Sequence, residues 1–124
     1  MKELKQAIEA FVKGGDTNNV ELLEKTLHSQ YQNIQDGFFK EEGIFIFPKA
    51  KYLELVGNKT FGGSVRTIHY ESIEQSGSIA SVKVILESQY LKFYSTLICV
   101  CQQGSWKVIV NIPVVEVKAS VKSS

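Results

Sequence analysis

Sulfur and metal ligands are scarce in this chain: two cysteines, two histidines and one methionine in 124 residues. Cys99 and Cys101 stand two apart in a β-like run, so both point to the same side of one strand and are poorly placed to bridge each other. With only His28 and His69 to complete a coordination sphere, the expectation is two small buried thiols in a reducing compartment, with no metal and no cofactor. An excess of charge is also missing. Fourteen basic against thirteen acidic side chains leave a net charge of +1, so no long-range field gathers nucleic acid or anionic lipid, and partner recognition must be local. Basic residues are scattered among acids, and neither nucleic acid nor a membrane is expected as a partner. The first dozen residues break every apolar run with Lys, Glu or Gln, which excludes a secretory signal or membrane span there and makes the cytoplasm the expected location. Internal repeats, low-complexity blocks and interdomain linkers are absent.

What is present fits one domain. Hydrophobic residues at 44% and charged residues at 22% describe an ordinary globular chain, and its length suffices for one core. The pattern predicts a domain over 1–118 and a Ser- and Lys-rich tail, 119–124, without apolar anchors.

Leu4, Ala7, Ile8 and Phe11 recur at helical spacing, predicting a first helix from Glu3 to Lys13 that Gly14 and Gly15 end. Asp16 or Asn19 can cap a second helix running to Leu27, antiparallel to the first. Tyr31 to Phe39 and Ile44 to Phe47 read as a hairpin turning over Lys40 to Gly43. Pro48 suits the first position of a short third helix ending at Gly57 or Asn58, and Asn58 to Ser64 is the expected mobile loop. Four strands joined by short turns follow: Val65 to Gln75, Ile79 to Gln89, Phe93 to Gln102 and Trp106 to Val117.

This order resembles the nuclear transport factor 2-like superfamily, which includes ketosteroid isomerases, polyketide cyclases and proteins labelled lumazine-binding. The similarity spans nearly the whole chain. It is carried by Phe11 with Gly15 and Asp16, by Leu27-His28-Ser29-Gln30-Tyr31, and by Gly104, Trp106, Lys107, Val108 and Asn111. The resemblance implies an α+β fold in which three N-terminal helices pack on a curved, mainly antiparallel sheet to form a cone with an internal pocket. Isomerases of this fold use a helix-one tyrosine, a strand acid and a carboxylate base; Ile8 and Ile98 fall near the first two places, so both donors are missing. Asp36 falls near the base position, and a one-residue change of register puts Gln35 there instead.

Asp36 is therefore either a general base in the pocket or, being followed by Gly37, a turn or bulge residue. His69 alternates with Thr67, Glu71 and Ile73, so a His69–Glu71 pair lines the pocket if that face is the inner one, and otherwise serves as a surface salt link. Tyr31, Asn33, Phe45, Tyr52, Tyr90 and Trp106 are the candidate ligand-binding residues, rings for stacking and an amide for orientation; for most of the rings, core packing is the competing role. The strand Phe93 to Cys101 is apolar on both faces, Phe93, Leu97 and Cys99 on one and Tyr94, Ile98 and Val100 on the other. Helices can cover only one face, so the other is expected to be covered by the sheet of a second copy in a homodimer. The functional expectation is a cone that binds a small apolar or aromatic molecule. The alternatives are a cofactor-free isomerase, cyclase or dehydratase, and a protein-interaction module using the sheet.

Overall fold

A computed structural model describes residues 2–118, and the 119–124 tail lies outside the described residues. The first apolar stripe forms α1 (Lys2–Asp16), burying Leu4, Ile8, Phe11 and Val12. Contrary to the sequence expectation, Gly14 and Gly15 lie inside this helix. A Cβ on Gly14 would sit 2.7 Å from the Leu23 side chain, so glycine is needed there to let α2 (Val20–Thr26) approach. The left-handed residue after α1 is Asn18, at φ 51°, and Asn19 rather than Asp16 caps α2 by accepting from the Leu22 amide.

The sheet contains β1 (Leu27–Phe38), β2 (Glu41–Pro48), β3 (Thr67–Ser76), β4 (Ile79–Glu87), β5 (Leu91–Gln102) and β6 (Ser105–Val117), in spatial order β2-β1-β6-β5-β4-β3. Neighbours are antiparallel except β1 and β6, which run parallel. The β1–β2 turn is tighter than the glycine pattern implied: Phe39, at φ 56°, and Lys40 make it, while Gly43 joins β2. Pro48 precedes α3 (Lys49–Gly57) as its N-cap instead of opening it.

All three helices cover one face of the sheet. Leu4, Ile8, Phe11, Leu23, Tyr31, Tyr52, Val56, Val82, Val84, Leu86, Leu97 and Val108 form one core, each fully or nearly fully buried. Large side chains of this kind stabilise by about 1.5–3 kcal/mol apiece. The opposite face exposes Ile44, Ile46, Ile79, Tyr94, Ile112 and Val114. Apolar pairs recur across that face, Tyr94 with Val114 and with Ile85, Ile98 with Val110, and Ile34 with Ile46.

Besides the irregular β1–β6 register between Leu27 and Gln32, three bulges set which side chains enter the core side. The pairing shifts opposite Gly37 of β1, which faces both Glu42 and Gly43 of β2, at Glu71 in β3 and at Ile109 in β6. Each reverses the alternation beyond it.

Candidate functional site

Between the helices and the inner sheet face lies a cavity of about 550 Å³. Its wall is aromatic and aliphatic, with Phe11, Phe38, Tyr52, Phe61, Leu86 and Phe93 among its residues. Tyr52 stacks on Phe11 at 6.3 Å and meets Tyr31 at 5.0 Å, while Phe38 and Phe61 contact edge to face at 5.8 Å.

One polar stretch of the wall is made of amides, with the Ser88 and Ser95 side chains also bordering the cavity. Asn33 and Gln35 project inward from β1, and Asn111 from β6 directly opposite Asn33 in the parallel register. Asn111 Nδ2 donates to Asn33 Oδ1 at 2.8 Å, Asn33 Nδ2 to Gln35 Oε1 at 2.7 Å, and Gln35 Nε2 to the Gly37 carbonyl at 3.0 Å. The Tyr31 hydroxyl adds a longer bond, 3.4 Å, to Asn33 Oδ1. Asn111 Oδ1 is buried without a partner. Burial holds the Tyr31 hydroxyl well above the usual tyrosine range, reinforced by nearby Tyr52, and raises Tyr52 in the same way.

At the other side Arg66 borders the cavity with its guanidinium over the Phe93 ring, 4.9 Å from the centroid. Its Nε donates to Asp16 Oδ1 at 2.6 Å, and its backbone amide to Asp16 Oδ2 at 3.0 Å. The loop carrying Phe61 is tied down instead of loose. Asn18 Nδ2 donates to the carbonyls of Val56 and Phe61, both at 2.9 Å, and the Gly63 amide to the Gly15 carbonyl at 3.1 Å.

Of the candidate residues, the structure brings Asn33 and Tyr52 to the cavity, with Tyr31 buried behind Tyr52 and bonded to Asn33. Asp36 reaches the cavity rim, but it pairs with Ile44 on the outward parity of β1 and is exposed; Gln35 takes the inward place. His69 does not line the cavity. Arg66, just before β3, and Ile68 and Tyr70 on it face inward, so His69 is exposed opposite Ile85, and the bulge at Glu71 turns Ile73 inward. The pocket-lining version of the His69–Glu71 pair is thereby corrected: alternation alone cannot show which face is inner. Phe45 packs on Phe38 and Phe47 beside the cavity, Tyr90 is half-exposed, and Trp106 pairs with Cys101 at the far end of β6. None of these three lines the cavity. Cys99 and Cys101 are free, and burial pushes the Cys99 thiol up to about 12. Among the described residues, no group of three His, Cys, Asp or Glu side chains is placed to hold a metal ion, and no helix is long and apolar enough to cross a membrane.

The sequence model of the family described as "Putative lumazine-binding" matches residues 1–112. The chain belongs to that family. Solved structures similar to this lumazine-binding-family chain include a nuclear transport factor 2-like protein of unknown function from Silicibacter pomeroyi, 14% identical, TM-score 0.78, with 94% of each chain covered. Another, from Shewanella baltica, is 14% identical with TM-score 0.79, covering 93% of this chain and 92% of the other. A protein with a cystatin-like fold and unknown function from Nostoc punctiforme is 17% identical, TM-score 0.72, covering 96% and 91%. At such identities the likeness is one of fold, the cystatin-like α+β fold that the family chain adopts. No curated protein matches its sequence.

The site residues missed in the sequence are Phe11, Phe38, Phe61, Arg66, Phe93 and Asn111, while Gln35, the alternative to Asp36, takes the inward place. Asn111 had a signal, lying three residues past Val108 in the closing strand motif, but strict alternation puts Val110 inward. Only the extra residue at Ile109 brings Val108 and Asn111 to one face.

Proposed function

We propose that this protein binds a small, flat, largely apolar molecule inside a cone between its helices and sheet. The observation that carries this reading is the unpaired, buried Asn111 Oδ1 at an aromatic-walled cavity. A buried acceptor left unbonded is destabilising by about 1–3 kcal/mol, and a ligand that satisfies it offsets that penalty. The family's description, which names lumazine, a bicyclic heterocycle, agrees with a flat ligand of this size. The test is a thermal-shift screen of pterin-like, flavin-like and steroid compounds. A true ligand at a hundred times its Kd should add about 2.7 kcal/mol of native-state stability. No shift with any compound at high concentration would remove the proposal.

The enzymatic alternative, an isomerase, cyclase or dehydratase, draws on Asp36 at the cavity rim. Its test is turnover by Asp36→Ala and His69→Ala variants. Loss of product formation by Asp36→Ala with ligand binding intact would move the reading to catalysis, whereas binding and turnover indifferent to both changes would remove these residues from the site.

We also propose that the protein is a homodimer joined through the outward sheet face. Ile44, Ile46, Tyr94, Ile112 and Val114 are all more than a third exposed on that face, and apolar side chains gathered on one sheet face mark an interaction surface. A face held by a different protein would instead mark the interaction-module alternative, and the oligomeric state of the purified chain separates the two.

A further inference from the structure

The oxygen and nitrogen ends of an amide side chain have nearly the same shape, yet the order of the three amides here is fixed from one end. The Gly37 backbone carbonyl can only accept, so Gln35 must turn Nε2 towards it. Gln35 Oε1 is then free to accept from Asn33 Nδ2, and Asn33 Oδ1 from Asn111 Nδ2. Turning any one of them over sets oxygen against oxygen or nitrogen against nitrogen. The Tyr31 hydroxyl, donating to Asn33 Oδ1, favours the same order. What the relay leaves over is an acceptor, Asn111 Oδ1, without a partner on a residue only 7% exposed in the cavity wall.

We propose that the cavity reads hydrogen-bond polarity: it takes a flat, uncharged, largely apolar molecule whose inner edge carries an N–H or O–H donor for Asn111 Oδ1, and discriminates against the same shape with an acceptor there. This rests on the ligand-binding reading above. An anionic inner edge would meet the lone pairs of the Asn111 oxygen. A cationic one would exchange its hydration for neutral partners, since Asp36 at the cavity rim lies on the outward parity of β1 and Asp16, beside the cavity, is already held by Arg66. Asn111 touches the ligand in this scheme, whereas Gln35 is a positioning residue that holds the relay in one sense from the Gly37 carbonyl.

Carbazole, dibenzofuran and fluorene share one three-ring outline and differ at a single bridging atom: N–H, O or CH₂. Fluorescence titration of the wild-type protein should find carbazole bound roughly tenfold tighter than dibenzofuran, the discrimination expected when the wrong partner leaves a buried acceptor unpaired. Asn111→Leu should bring the two to about equal affinity. Gln35→Leu, which frees Asn33 and Asn111 to turn over, should narrow the ratio while carbazole still binds, an outcome that a purely structural role for Gln35 does not produce. Equal binding of all three probes by the wild type overturns the polarity proposal and leaves the binding reading in place. No binding of any probe up to its solubility limit overturns both. Should either variant fail to fold by circular dichroism, the wild-type ratio alone decides.

Discussion

Asp16 and Arg66, fifty residues apart, close on each other with both carboxylate oxygens used: one takes the Arg66 Nε–H and the other its backbone N–H. Their side chains are only 8% and 14% exposed. The pair therefore joins the end of α1 to the start of β3 beside the cavity. Removing one partner leaves a mostly buried charge uncompensated, so Asp16→Ala should lower stability by about 3 kcal/mol in urea unfolding. The double change Asp16→Leu with Arg66→Met should lose less than Asp16→Ala alone. A loss for Asp16→Ala within about 0.5 kcal/mol, the usual range for exposed sites, would show that the pair is not structural.

The loop after α3 supplies a comparison between two glycines. Gly62 and Gly77 both hold positive φ, at 80° and 62°, a conformation that is unfavourable for alanine by about 1–2 kcal/mol. Nothing lies within 4 Å of a Cβ at Gly77, whereas one at Gly62 would fall 2.1 Å from the Gly15 carbonyl oxygen. Gly77→Ala should thus be destabilising by about 1 kcal/mol, and Gly62→Ala by clearly more, because the loop must leave α1. Faster proteolysis within 58–64 in Gly62→Ala alone would report that release. Equal stability of the two variants would contradict the contact.

Alkaline pH should weaken the fold in a defined sense. Tyr31 and Tyr52 have folded-state pKa values raised above the usual 10.0, mainly by burial, and Cys99 is raised from 9.0 to about 12. For a group with a raised folded pKa, the unfolded chain releases its proton first. Stability is therefore fully present below the unfolded values and falls as pH rises through 9–10 and beyond. Of the five tyrosines, Tyr31 and Tyr52 should ionise, by ultraviolet absorbance, only together with loss of circular dichroism. Stability unchanged between pH 8 and pH 11 would contradict the burial of these groups.

The outward sheet face offers a direct test of self-association. Val114→Glu places a charge among the apolar side chains of that face, opposite Tyr94 on β5. Sedimentation should give a dimer for the wild type and a monomer for the variant, with unfolding of the variant protein at most modestly changed because Val114 is 61% exposed in the single chain. A wild-type monomer at micromolar concentration would end the homodimer proposal.

How far the site was legible depended on distance along the chain. Tyr52 and Asn33 were identifiable because each belongs to a pattern read within a few residues: Tyr52 on the apolar side of α3, Asn33 two positions from Tyr31 on β1. Asp36 against Gln35 was open only while the inner face of β1 was unknown: with Tyr31 and Asn33 inward, unbroken alternation through Asp36 sets Gln35 inward and Asp36 outward. His69 failed for a related reason. Its neighbours alternate well enough to predict a strand, but which side of that strand meets α1 is fixed by Arg66 reaching back to Asp16.

By itself the sequence determined the element order, the helical stripes, the meander and the excess of apolar residues on both sides of β5, because periodicity and turn chemistry act over a few residues. The tertiary structure alone decided that Gly14 sits inside a helix against Leu23, that β1 runs parallel beside β6, and that Asn111 faces Asn33. Those facts depend on where distant segments meet. A single bulge residue, worth little locally, reverses every side chain that follows it.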